Sequence, residues 1–307
     1  MRNHISRRAF IGTAAIAAAG SAAQSPRGSA LPSQSGAVAA DSKARLFSGC
    51  CAYSYRKHLQ PKKMTMEDFI LKAVELEIDG VDMTAYWFKS TEPDYLVSLR
   101  HLAKSNGVCF SGAACGASTV EADPAKRAKV LDDIKKWVDA TEHLGASHLR
   151  VFAGELPKGA TTGQGVAWTV EVLKPACEYS GGKGITLGIE DHGGITQRAD
   201  VCLELLRKID SPYFGINLDI SNFVAASDDE QYQQIETCAR YATHTHIRDR
   251  FGDSGHPIDL DRVWQIFARA GYKGFMSVEY EGEEDATTGV PKLLEQIKTL
   301  NRKYSSV

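Results

Sequence analysis

Three carboxylates and one imidazole close four successive apolar runs of the chain: Glu190 in TLGIEDHGG, Asp219 in FGINLDISNF, His246 in ATHTHIRDR and Glu279 in FMSVEYEGE. Side chains alternate between the faces of a strand, so a run ending in one such group aims it at the mouth of the sheet that carries it. Any one of them has a plainer use. Asp219-Ile-Ser221-Asn222 can cap a helix or turn, a Glu after a strand is often a solvated rim residue, and His244 and His246 share a face on which one can simply pack. Four such groups about 30 residues apart point instead to one divalent metal centre. The set is hard and oxygen-rich, which suits Mn2+, Mg2+ or Co2+ and admits Zn2+. Three negative ligands around a doubly charged ion leave about one excess negative charge. Open coordination positions can then take two adjacent oxygens of a substrate.

The elements that must position these groups recur at a regular interval. Strand-like runs start near Leu46, Gly80, Val108, His148, Ile185, Phe214, Ala242 and Gly274, about 33 residues apart. Helix-period segments lie between them: 66–77, 124–144, 166–179, 199–209, 230–241, 259–270 and 290–304. Asp123-Pro124 and Asp259 mark helix starts, and Gly107, Gly145 and Gly271 mark ends. Strand alternating with helix gives parallel βαβ units, and eight of them without an evident edge strand predict one closed (β/α)8 barrel over residues 44–307. An open doubly wound sheet is the alternative. No glycine-rich dinucleotide fingerprint follows the first strand, which counts against it. Active sites of such barrels gather at the carboxyl ends of the strands, where strands five to eight would deliver the four groups side by side.

Residues 1–43 are set apart from that fold. The first 40 hold four arginines and no acid, and Ser6-Arg7-Arg8-Ala9-Phe10-Ile11 leads into an alanine-rich stretch and then a Ser, Pro and Gly linker. This is the pattern of a cleavable twin-arginine export signal, which places the mature protein in the periplasm or outside the cell. The apolar run falls short of the roughly 20 residues needed to span a bilayer, so no stable membrane anchor is expected. Removing four positive charges from a chain of formal charge −2 leaves a body at −6, without the basic stripe that a nucleic-acid partner would require. About 265 residues remain, enough for one large core. The seven cysteines lack metal spacing. Cys109, Cys177, Cys202 and Cys238 read as buried thiols, and Cys50 and Cys51 as packing residues on opposite strand faces.

From about Leu46 to Tyr304 the chain resembles the sugar phosphate isomerase/epimerase superfamily of xylose isomerase-like TIM barrels. The resemblance rests on Gly188-Ile-Glu190-Asp191-His192-Gly193-Gly194, similar to that family's Glu-Asn-His-Gly segment, on Leu218-Asp219, on His246-Ile247-Arg248-Asp249, and on Gly274 to Glu279. It implies that Glu190, Asp219, His246 and Glu279 are the metal ligands, and that Glu190 and Glu279 also move the proton. Three positions depart from the family pattern. Asn222 stands where ketose 3-epimerases have a histidine three residues after the aspartate ligand, Asp191 replaces an asparagine, and Arg248 replaces a lysine.

The expected activity is that of a metal-dependent sugar isomerase or epimerase. It would abstract a proton next to a carbonyl of a free sugar or sugar derivative, through an enediolate that the metal stabilises. His192 lies two residues beyond Glu190 on the same face, close enough to reach a substrate hydroxyl. Arg248, Arg150 on strand four, Tyr53 on strand one and an aromatic of Tyr86-Trp87-Phe88, best placed in Trp87, are the expected substrate contacts. Trp137, Trp168 and Trp264 fall on helices and read as packing, the charged run 126–136 as a solvated face, and Glu281 as facing solvent. The same groups would serve a lyase or hydratase that expels a β-substituent from a 3-keto sugar or 3-keto-glycoside. An abasic-site endonuclease of the same fold would need a longer ligand set, and a sugar-binding protein would not need these ligands at all. A small carbohydrate is the expected partner, and the reading leaves room for a homo-oligomer.

Overall fold

In the computed structural model residues 44–305 are described, and they close the barrel that the interval predicts. The strands are β1 Arg45–Cys51, β2 Gly80–Thr84, β3 Cys109–Ser118, β4 His148–Phe152, β5 Thr186–Glu190, β6 Phe214–Asp219, β7 Ala242–Ile247 and β8 Lys273–Val278. They pair in parallel in sequence order, and β1 returns to β8 with Arg45 beside Lys273 and Cys50 beside Val278. After each strand comes its outer helix: α1 Met66–Glu75, α2 Pro93–Ser105, α3 Pro124–Leu144, α4 Thr162–Gly181, α5 Ala199–Ile209, α6 Asp228–Ala239, α7 Leu260–Ala270 and α8 Ala286–Tyr304. The expected export signal and linker lie outside the described residues. Among the described residues no helix is long and apolar enough to cross a membrane.

Local chemistry accounts for the element boundaries. Thr65 and Asp68 form a reciprocal capping box before α1, as Thr161 and Gln164 do before α4, and Asp123, Asp259 and Asp285 accept first-turn N–H groups of α3, α7 and α8. Gly145 and Gly271 end α3 and α7 at φ 86° and 66°, a left-handed backbone that glycine adopts without strain. The sequence does not single out α2. Its buried stripe of Leu96, Leu99 and Ala103 nevertheless stands at helical spacing behind Pro93.

Helix faces and strand exteriors share one apolar core, but the barrel interior is polar near the carboxyl end. There Asp82, Arg150, Asn217, His244 and His246 are buried, and His148 is buried deeper, at the amino end of β4. Glycine makes the space for them. A Cβ on Gly188 would come within 2.3 Å of His148 Nε2 and one on Gly112 within 3.2 Å of His148 Nδ1, so the imidazole crosses the barrel between two strands that carry no side chain at that level. His148 then stacks on His244 at 5.2 Å, and His244 meets His246 edge-on at 5.7 Å. Burial holds His244 down to about 4, so it stays neutral and bonds Ser111 Oγ at 3.1 Å, a packed barrel histidine. Cys177, Cys202 and Cys238 are buried as expected, whereas Cys109 is exposed because it opens β3 at the far rim.

Candidate active site and metal centre

The three acids and one imidazole singled out by their spacing meet at one arc of the rim. Glu190 is the last residue of β5, Asp219 the last of β6, His246 the penultimate residue of β7, and Glu279 follows β8, where its N–H donates to Ile247 O at 3.0 Å. All four are buried, and each offers one donor atom within 4.8 Å of the others.

Each donor is held by neighbours on adjacent strands. His246 Nε2 lies 3.0 Å from Asp82 Oδ2, which turns Nδ1 toward Glu190 Oε1 at 3.5 Å and Glu279 Oε2 at 3.4 Å. Asp219 Oδ1 accepts from Ser221 N and Oγ, both at 2.8 Å, and its own N–H donates to Asp191 Oδ1 at 2.8 Å. Arg248 spans the acids, with Nε 2.9 Å from Asp219 Oδ2 and Nη2 3.0 Å from Glu279 Oε2 and 2.8 Å from Glu281 Oε1. Arg150 Nε lies 2.9 Å from Glu190 Oε2, while its Nη1 donates to Cys115 O at 3.1 Å and to Tyr86 Oη at 3.3 Å. The Arg150–Glu190 contact is ionic without hydrogen-bond alignment, so Glu190 Oε2 is buried and still lacks a hydrogen-bond partner.

These contacts set the charges. Burial alone would raise Glu190 and Glu279, but the Arg150 and His246 charges lower the first, and His246 and Arg248 hold the second well below the usual carboxylate range. Burial would likewise raise Asp82. The hydrogen bond from His246 and the cationic groups around it outweigh that and bring it to about 2. His246 keeps its proton well above the ordinary imidazole range: burial opposes this, and Glu279 with Asp82 overcomes it. Asp219 goes the other way, raised to about 6 by burial and by Glu279 and Glu190, with Arg248 only partly compensating. Asp191 is raised well above its usual value by burial and the Asp219 charge. The residues fit a divalent ion: three carboxylates and an imidazole nitrogen converge, and a buried carboxylate oxygen lacks a hydrogen-bond donor.

Above this cluster opens a cavity of about 620 Å³, lined by Tyr53, Tyr86, Arg150, His192, Arg248 and Glu281 among others. His192 stands half-exposed at its mouth, with Nδ1 3.8 Å from Glu190 Oε1 and 3.4 Å from Asn222 Nδ2. Two expectations change. Trp87 does not line the cavity: the 3-10 turn Ala85–Trp87 rotates the chain so that Tyr86 faces the site and Trp87 stacks behind Tyr53 at 6.0 Å. Glu281 faces the cavity rather than open solvent, drawn in by Arg248 and by Arg56 at 3.5 Å. Four contributors escape the sequence reading. Asp82 is a lone acid inside β2, Cys51 places its thiol 3.7 Å from Glu279 Oε1, and Asp191 and Ser221 fix Asp219. The one available signal was an acid at the middle of the uncharged strand Gly80–Thr84. Burial pushes the Cys51 thiol up to about 12, so it remains neutral there.

A family model described as xylose isomerase-like TIM barrel matches residues 70–300. Among solved structures, a xylose isomerase domain protein from Planctomyces limnophilus superposes with a TM-score of 0.66 at 17% identity, covering 85% of this chain and 99% of that one. A D-psicose 3-epimerase from Clostridium cellulolyticum H10 gives 0.67 at 14%, with 85% and 99% covered. A 3-keto-D-glucoside 4-epimerase from E. coli gives 0.63 at 14%, with 84% and 100% covered. At these identities the likeness is one of fold. No curated protein sequence matches the chain.

Proposed function

The chain belongs to the xylose isomerase-like TIM-barrel family, and on that premise we propose that it is a metal-dependent isomerase or epimerase of a free sugar or sugar derivative. The observation that carries this reading is the convergence of Glu190, Asp219, His246 and Glu279 donor atoms within 4.8 Å at the floor of an open cavity. Epimerases of sugars among the structural neighbours lend it support through the shared fold. A divalent ion, Mn2+, Mg2+ or Co2+ before Zn2+, would polarise a carbonyl and the adjacent hydroxyl and so acidify the carbon-bound hydrogen between them.

Glu190 and Glu279 take and return that proton. In the ion-free protein both are ionised at neutral pH because arginine and imidazolium charges surround them, and they lie 3.5 Å and 3.4 Å from His246 Nδ1. Either carboxylate can therefore take the proton from a carbon and, as the acid so formed, return it to the neighbouring carbon; epimerisation additionally needs the other carboxylate to receive a proton from solvent through the open cavity before delivering it to the opposite face. Arg150 and Arg248 fix the two carboxylates and present further N–H groups to substrate oxygens along the cavity wall. Tyr53 contributes aromatic wall, and His192 reaches a substrate hydroxyl or a leaving group at the mouth. Arg150 is raised above its already high value by Glu190 and stays charged through the cycle, although burial works against it.

Incubation of metal-loaded protein in D2O with a panel of free and 3-keto sugars, followed by NMR, tests the proposal. Deuterium is expected at one carbon next to a carbonyl, with an epimer or isomer accumulating, and Glu190→Gln should abolish both. Loss of a β-substituent would assign the chain to the lyases instead. Absence of exchange across the panel with the metal demonstrably bound would overturn the proposal.

A further inference from the structure

Beside the charged cavity lies a second one of about 490 Å³, bounded by Tyr86, Gly116, Ala117, Val130 and Trp137. The two share Tyr86. Its hydroxyl accepts from Arg150 Nη1 at 3.3 Å, and Arg150 in turn sits 2.9 Å from Glu190, so one phenol ring and one guanidinium separate the proposed proton-transfer group from the second cavity. Gly116 lets that ring lie close against β3: a Cβ there would stand 3.3 Å from Tyr86 Cε1. Tyr86 nevertheless remains 46% exposed, so its ring is open to a ligand.

The chemistry of the two walls differs. The first cavity presents Arg150, Arg248, Glu190, Glu279 and Glu281. The second offers two aromatic rings and aliphatic carbon, and its charged residues are Asp133 and Lys136, which neutralise each other at 3.0 Å and are both exposed. Val130 and Trp137 lie two turns apart on α3 and present one apolar face to the space. A hydrated sugar ring gains little there, whereas an apolar ring gains burial and stacking. Its volume lies within the range of small-molecule sites.

Resting on the sugar-isomerase reading, we propose that the substrate is a 3-keto-glycoside, whose ring ketone supplies the carbonyl that proton abstraction needs: its sugar occupies the charged cavity, and an aromatic aglycone lodges against Tyr86 and Trp137. The second cavity thereby selects an aryl glycoside over a free sugar or a methyl glycoside. Trp137, which the sequence places among packing residues, becomes a specificity determinant outside the proton-transfer machinery.

Calorimetry with the metal-loaded protein and paired methyl and phenyl 3-keto-glycosides of glucose and galactose tests this. Phenyl glycosides are expected to bind about tenfold tighter than their methyl counterparts, the effect of one favourable aromatic contact. Trp137→Ala should bring the ratio close to one. Val130→Phe, which fills the cavity without removing an aromatic, should do the same while leaving methyl glycoside affinity unchanged. A ratio near one in the wild type, or a tenfold ratio that survives both variants, would overturn the proposal. Deuterium exchange on free sugars without binding of any glycoside would sink this inference alone; failure of both assays would sink the isomerase reading with it.

Discussion

Asp82 does for His246 what sequence spacing cannot express: it accepts from Nε2 at 3.0 Å and so reserves Nδ1 for the space between Glu190 and Glu279. Asp82→Asn is expected to weaken Mn2+ affinity by about 10- to 100-fold with the fold retained, as measured by calorimetry beside circular dichroism. Unchanged affinity would show that the imidazole is positioned by packing alone. The acid side of the cluster predicts a pH dependence. Asp219 keeps its proton up to about pH 6, against an ordinary 3.8, and His246 keeps its own well above the usual imidazole range, so both protons compete with the ion. Affinity should rise with pH through the neutral range and most steeply below about 6; a flat profile between pH 5 and 8 would contradict this. In the ion-free protein the raised Asp219 favours folding below about pH 4, and that contribution is lost as pH climbs through 6.

At the scale of elements, β4 and β5 are tied by the Arg150–Glu190 pair, whose side chains are 4% and 2% exposed. Arg150→Met strands a buried carboxylate and should cost about 3–5 kcal/mol in denaturant unfolding. Double substitution with Glu190→Gln should recover much of that. A loss below about 1 kcal/mol for the single variant would mean that water already reaches the pair. Strand starts and most helices were legible because the barrel demands one apolar run and one amphipathic helix per 33 residues. α3 runs over 124–144 as its periodicity and caps indicate, and α5 over 199–209 as its periodicity indicates. The ligand set was legible for the same reason, being the last polar group of each run. Trp87 and Glu281 were misplaced because the rim breaks the period-two rule: a 3-10 turn redirects one, and Arg248 recruits the other. Asp82 reaches across the barrel from β2 to His246 on β7, and Cys51 of β1 meets Glu279 just past the neighbouring β8, at sequence separations of 164 and 228, where no local pattern reports a contact.

The described residues join a closed barrel to an open polar mouth. We propose that residues 1–43 direct twin-arginine export, which carries folded proteins and so permits an ion to be loaded before secretion. Replacing Arg7 and Arg8 by lysine should retain the protein in the cytoplasm on fractionation; efficient export of that variant would remove the argument for an extracellular sugar. Every functional statement above depends on one ion shared by four side chains. Titration of the metal-free protein with Mn2+, followed by calorimetry and equilibrium dialysis, tests that most directly. The account predicts one ion per chain in the wild type and at least about 100-fold weaker binding in Asp219→Asn and in His246→Gln, both still folded. Absence of binding, or binding that neither substitution disturbs, would contradict it.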